Sequence, residues 1–250
     1  MTDTARPHVI AEFGLEHWHE GELSCGRAPV VDGMLVPGTD LVHIGVLATL
    51  ADVVAGQPVG GAVTPTTDLG ITVVRRRPTA AVELRSRVLK AGATLLVAET
   101  LLTAEGDDEP FAVSLVTFVH QRVEVPGRPE QPPLLAEPLA ERMGVRHLAP
   151  GTTELDPRDD LSNGLHGTVQ GGMVALLAEM AALSLMAADG PHLVTQLDVR
   201  YLNRIKVGPA RATARVLVGA TPEPALAVTV VDVGQGGRVA AHVGARCRRL

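Results

Sequence analysis

Two stretches of the chain lack the alternation of apolar and polar positions that marks a surface element. Across residues 44–62 the only ionisable residue is Asp52, and across 167–188 the only one is Glu179. A helix that is apolar on every side is a buried helix. Each stretch therefore predicts a core helix with a sheet wrapped around it. Runs rich in Val, Thr and Leu follow both stretches, broken by Gly, Pro and Asp as strands are by their turns. In the first half these runs are 68–75, 81–89, 95–103 and 111–123; in the second they are 196–203, 212–218, 225–233 and 239–247.

The two halves also match residue by residue, a sign of internal duplication. When 43–52 is laid on 170–179, Gly45 meets Gly172, Leu50 meets Leu177, Ala51 meets Ala178, and the acids Asp52 and Glu179 coincide. Each copy reads as a strand or two, one helix and a meander of four strands. The proline-rich stretch 125–133 and a short amphipathic segment, 134–143, separate the copies. The expected organisation is an N-terminal unit at 1–124, a linker at 125–143 and a C-terminal unit at 144–250.

A lone carboxylate in an apolar helix either finds a partner or shifts its pKa upward. One reading is a buried ion pair or a hydrogen bond to a neighbouring loop. The other is a general base or nucleophile facing a cleft between the copies. The start of the second helix favours the latter. Gly171 and Gly172 open it, after a loop that carries Asn163, His166 and Gln170. Unpaired N–H groups and the positive end of the helix dipole gather at such a start. Glycine lets a ligand carbonyl come close, which is the geometry for holding a developing oxyanion.

Composition narrows the classes. Hydrophobic residues are 46% and charged residues 20%, ordinary for a globular protein. Aromatics at 2% and a net charge of −6 argue against a nucleic-acid partner, which would need stacking platforms or a basic surplus. Cys25 and Cys247 lie far apart, so neither a disulfide framework nor metal spacing is expected. The first eight residues lack the apolar core of a signal peptide, and the apolar run 173–188 is broken by Glu179 and Ser184. A cytoplasmic protein without membrane insertion is expected. Residues 234–237 read as a hairpin turn rather than a phosphate loop. The chemistry is expected to need no cofactor and no metal.

With these residues assembled, the chain resembles the hotdog-fold acyl-CoA thioesterases of the phenylacetate-pathway and 4-hydroxybenzoyl-CoA type. Their motif is close to G-x-x-H-G-G, followed after six residues by Asp or Glu. Residues 167–172 and Glu179 reproduce that spacing, with Gln170 in place of the histidine; the first copy keeps His43 and Asp52 but has Ile44 in place of the first glycine of the pair. Tyr201-Leu202-Asn203-Arg204 resembles the strand that follows the helix in this family. The resemblance implies an α+β fold of two tandem hotdog units, each a central apolar helix wrapped by an antiparallel sheet. It implies thioester hydrolysis at the interface of the units, with coenzyme A entering as part of the substrate.

Two sites then follow. One pairs the Gln170 and Gly171 helix start with Asp52, the other the His43 and Ile44 helix start with Glu179. His166 and Asn163 are candidates for organising the loop and orienting water. Arg75 and Arg76, with Asn203 and Arg204 at the matching place in the second copy, are candidates for the coenzyme A phosphates, which arginine binds through its planar fork. The alternatives are a non-catalytic acyl-CoA binder and an enoyl-CoA hydratase-like enzyme. The second usually has an acid five residues before its histidine, where this chain has Gly38 and Leu161. A homo-oligomer of tandem chains is also expected.

Overall fold

The computed structural model describes residues 6–56, 65–119, 132–163 and 167–250. The first copy contributes β1 (Glu16–Glu20), β2 (Leu23–Pro29), α1 (Ile44–Ala55), β3 (Thr66–Val73), β4 (Ala81–Ala91), β5 (Leu95–Ala104) and β6 (Pro110–Val119). After the short helix α2 (Leu139–Met143) come β7 (Arg146–Ala149), β8 (Thr152–Leu155), β9 (Ser162–Asn163), β10 (Thr168–Val169) and α3 (Gly171–Met186). The chain ends with β11 (His192–Tyr201), β12 (Ala210–Val218), β13 (Ala225–Asp232) and β14 (Arg238–Arg249). Helix α1 stops at Ala55, and residues 57–64, which include the end of the apolar stretch, lie outside the described residues, as do 120–131 and His166.

Among the described residues one 12-stranded sheet runs in the order β1-β2-β4-β5-β6-β3-β11-β14-β13-β12-β8-β7, and β9 and β10 form a separate ribbon. The order is a palindrome of the two copies, each giving six strands. At the seam β3 and β11 run antiparallel, with Gly70 opposite Asp198, Asp68 opposite Arg200 and Thr72 opposite Gln196. Gly70 and Asp198 hold equivalent places in the duplicated sequence, so a twofold rotation through that pair maps the seam onto itself. An ion pair from Arg200 Nε to Asp68 Oδ1, 3.0 Å, spans it.

Both helices lie against the sheet and against each other. Gly171–Asp189 is long and apolar enough by length and composition to cross a membrane, but most of it is buried in the core. The helices approach through small residues. A Cβ on Gly45 would sit 2.7 Å from Leu176 Cδ2 and 2.9 Å from Leu176 Cα, and one on Gly172 would sit 2.7 Å from Thr49 Cγ2. Leu176 and Thr49 are themselves equivalent, so the crossing repeats the twofold of the seam.

The end of the expected linker is part of this core. Leu135, Leu139 and Met143 are buried, and Arg142, 2% exposed, holds three segments together. It donates to both carboxylate oxygens of Glu12 at 2.8 and 2.9 Å, to Asp160 Oδ2 at 2.6 Å and to the Pro7 carbonyl at 2.7 Å. A buried guanidinium is tolerated because each of these acceptors replaces lost hydration.

Candidate active site

The first four N–H groups of an α-helix have no intrahelical acceptor, and the two core helices solve this differently. At α1, Val46 and Leu47 donate to the His43 carbonyl at 3.0 and 3.2 Å. The other two amides go to the second copy's acid: Ile44 N–H donates to Glu179 Oε1 at 3.1 Å and Gly45 N–H to Oε2 at 2.8 Å. His43 Nδ1–H donates to the same Oε1 at 3.0 Å. Glu179 is fully buried. The cavity beside it measures about 40 Å³ and touches Ile44, Phe111 and Arg76.

At α3, Met173 and Val174 donate to the Gln170 carbonyl at 3.0 and 3.2 Å. The Gln170 side chain caps the helix, its Oε1 accepting from Gly172 N–H at 2.5 Å and Met173 N–H at 3.3 Å. Gly171 N–H is left without an acceptor among the described residues. Asp52, the counterpart of Glu179, is one methylene shorter. It accepts a hydrogen bond from Thr66 Oγ1 at 2.7 Å and none from α3. Beyond it opens a cavity of about 310 Å³, which Asp52 and Gly171 both line, together with Val53, Phe118, Val174, Tyr201, Asn203 and Arg204.

The electrostatics follow from this geometry. Burial pushes the Asp52 carboxyl up to about 6, while the Thr66 hydrogen bond pulls it back toward the ordinary range. Tyr201 donates its O–H to the Gly171 carbonyl at 2.9 Å. Burial, and then the nearby Asp52 charge, hold the Tyr201 pKa well above the phenol range. The cavity thus offers a basic carboxylate from one unit and, from the other, the Gly171 N–H, which has no acceptor among the described residues, at the positive end of a 16-residue helix.

No protein-family model matches the chain, and no curated protein matches it. Solved structures do. The tesB protein of Mycobacterium avium subs paratuberculosis superposes with a TM-score of 0.68 at 14% identity, over 96% of this chain and 97% of the other. A protein with hot dog fold from Alicyclobacillus acidocaldarius gives 0.66 at 11%, over 97% and 98%. Acyl-CoA thioesterase II TesB2 from Mycobacterium marinum gives 0.62 at 11%, over 96% and 97%. The chain has the hotdog fold. Its two units fill the length of these neighbours, and at such identities the shared property is the architecture.

The structure separates the sequence candidates into two groups. Asp52, Gln170, Gly171, Asn203 and Arg204 line one cavity. His43, Ile44 and Glu179 meet on the other side of the helix pair, where the acid occupies the amides that were expected to face a carbonyl. Arg75 and Arg76 belong to neither helix start of the larger cavity. Arg75 is paired with Glu109, and Arg76 donates to the Arg249 carbonyl at 2.9 Å and borders the small cavity. The glycine pair also divides its roles. Gly172 serves the helix crossing, and only Gly171 faces the cavity. Asn163 contributes backbone to β9, opposite Thr168, and His166 lies outside the described residues.

Thr66 and Tyr201 are the site residues that sequence reasoning passed over. Tyr201 is the single tyrosine of a chain poor in aromatics, which was a usable signal. Thr66 opens a strand like many threonines, and nothing in its neighbours singles it out.

Proposed function

We propose that the chain hydrolyses an acyl-CoA thioester in the Asp52–Gly171 cavity. The observation that carries this reading is that one basic carboxylate and one unclaimed helix-start amide, from different units, line the same space. With the thioester carbonyl oxygen on Gly171 N–H, the helix end stabilises the negative charge that develops as water adds to the carbonyl carbon. Asp52 takes the proton of that water. A carboxyl with a pKa near 6 is ionised at neutral pH yet more basic than an ordinary one, which suits a general base. Collapse of the adduct breaks the C–S bond, and the thiolate leaves as coenzyme A. Phe118, Val53 and Val174 give the acyl group an apolar wall, and Arg204, exposed and also lining the cavity, is the cation available to a phosphate of coenzyme A.

The deciding experiment is a panel of acyl-CoAs with a thiol-trapping dye. Release of free thiol supports hydrolysis. Binding without release at any chain length would make the protein an acyl-CoA binder. Solvent ¹⁸O in single turnover tests the role of Asp52, because label on its carboxyl arises only from a mixed anhydride hydrolysed at the aspartyl carbon, whereas a general base stays unlabelled.

Two further results are expected. In Thr66→Val the Asp52 carboxylate loses its donor, so its pKa rises further and the acid limb of kcat/KM moves up. The shift should be about one to two pH units, since a hydrogen bond to a charged acceptor is worth ~1.5–3 kcal/mol. Activity should then fall at pH 6–7 and recover near pH 9. A profile that keeps its wild-type limb would remove Thr66 from the site. Arg204→Ala should raise KM for acyl-CoA several-fold at low salt, with the difference shrinking at high ionic strength. Equal KM values at low salt would place the phosphates elsewhere.

A further inference from the structure

We infer that Tyr201 is a positioning residue for the oxyanion donor: its hydroxyl and the Gln170 side chain grip the 171–172 peptide from opposite ends, and with the Gln170 carbonyl held by the Met173 and Val174 amides both peptide planes that meet at Gly171 are fixed, which keeps the Gly171 N–H in one orientation. This inference rests on the thioesterase reading. The Gly171 carbonyl accepts from Tyr201 O–H at 2.9 Å, and the Gly172 N–H of the same planar peptide donates to Gln170 Oε1 at 2.5 Å. Both residues at this helix start are glycines, the residues with most backbone freedom to lose. The Gln170 carbonyl anchors one side of Gly171 through the Met173 and Val174 amides; without the Tyr201 grip on the other side, rotation about the Gly171 backbone bonds would loosen the turn that carries the N–H. The phenol ring also lies on Gly171, since a Cβ there would sit 3.2 Å from Tyr201 Cζ.

The first copy provides an internal comparison. The residue equivalent to Tyr201 is Val73, which borders the small cavity and carries no hydroxyl. There the first two amides of α1 are held by Glu179 instead. A restraint on the helix start is thus present in both copies, but only the Tyr201–Gln170 version leaves an amide available. Burial keeps the hydroxyl protonated at neutral pH, so it remains a donor across the working range.

Tyr201→Phe keeps the ring and removes the grip on the carbonyl. In the full chain kcat should fall about tenfold, a fraction of the loss seen when an oxyanion donor is deleted outright. KM should stay within about twofold, and the acid limb should remain near 6, because Asp52 is untouched. Combined with Gln170→Ala, the loss should be smaller than the product of the two single losses, since both act on one peptide. Unchanged kcat with a lower Tm, or multiplicative losses, would overturn the inference and leave a merely structural tyrosine. Amide exchange measured by NMR needs no substrate. Exchange at Gly172 should quicken about tenfold in Tyr201→Phe, and an unchanged rate would equally overturn the grip. If the wild-type protein turns over no acyl-CoA, the functional reading fails, and the exchange rates still decide this one.

Discussion

Asp52→Asn should lower kcat by about 10²- to 10⁴-fold, the range for loss of a general base, and should make the protein more stable at neutral pH. The two effects have one origin. Burial raises the Asp52 pKa from 3.8 to about 6, so the folded state binds this proton more tightly than the unfolded state does. The group's favourable contribution is therefore complete below about pH 4 and is lost as pH rises through 6. Above that, a buried charge is carried at a penalty of up to about 3 kcal/mol, from roughly two pKa units at 1.36 kcal/mol each. Asparagine is neutral throughout and can still accept from Thr66. The variant and the wild type should thus melt together near pH 4 and diverge above pH 6, with the variant higher by several degrees. Other titrating groups cancel in the difference. Parallel melting curves at every pH, or retained turnover, would show that the carboxylate is neither strained by burial nor the base.

The architecture was largely legible in the sequence because its signals are extreme. Two helices with one acid each cannot be surface helices, and the coincidence of Asp52 with Glu179 pointed to duplication. The strands observed at 81–91, 95–104 and 225–232 lie within a few residues of those expected. That the two sites differ was legible from their residues; what was not legible is which helix start stays open, since that depends on whether each acid reaches the opposite helix. A glutamate spans the gap to the opposite helix start, whereas an aspartate falls one methylene short and turns to Thr66. The place of the arginine run was not legible for a related reason. The chain leaving β3 brings Arg76 to the closed helix start and leaves Arg75 on Glu109, while the chain leaving β11 brings Arg204 to the open one. Gly172 misled because a glycine needed for close helix approach looks, in one dimension, like a glycine needed for a ligand.

Glu179 should behave in the opposite way to Asp52. Its two oxygens accept from His43 Nδ1 and from the Ile44 and Gly45 amides, all buried. Glu179→Ala leaves these donors without their protein acceptor. An unsatisfied buried donor costs about 1–3 kcal/mol, so with three donors a loss of roughly 3–5 kcal/mol is expected. Glu179→Gln should lose less but still substantially. Its amide has one acceptor oxygen, and its NH₂ must face either a backbone N–H or the histidine. Both variants, assayed as folded protein, should keep at least about a third of wild-type kcat, because the Asp52 cavity lies on the other side of the helix pair. Chemical denaturation together with turnover separates the possibilities. A hundredfold loss of kcat in Glu179→Gln with an unchanged midpoint would mean that the closed site is catalytic, and that the twofold of the sheet extends to the chemistry. Loss of stability with retained kcat means that duplication left one active carboxylate and turned its twin into a helix cap.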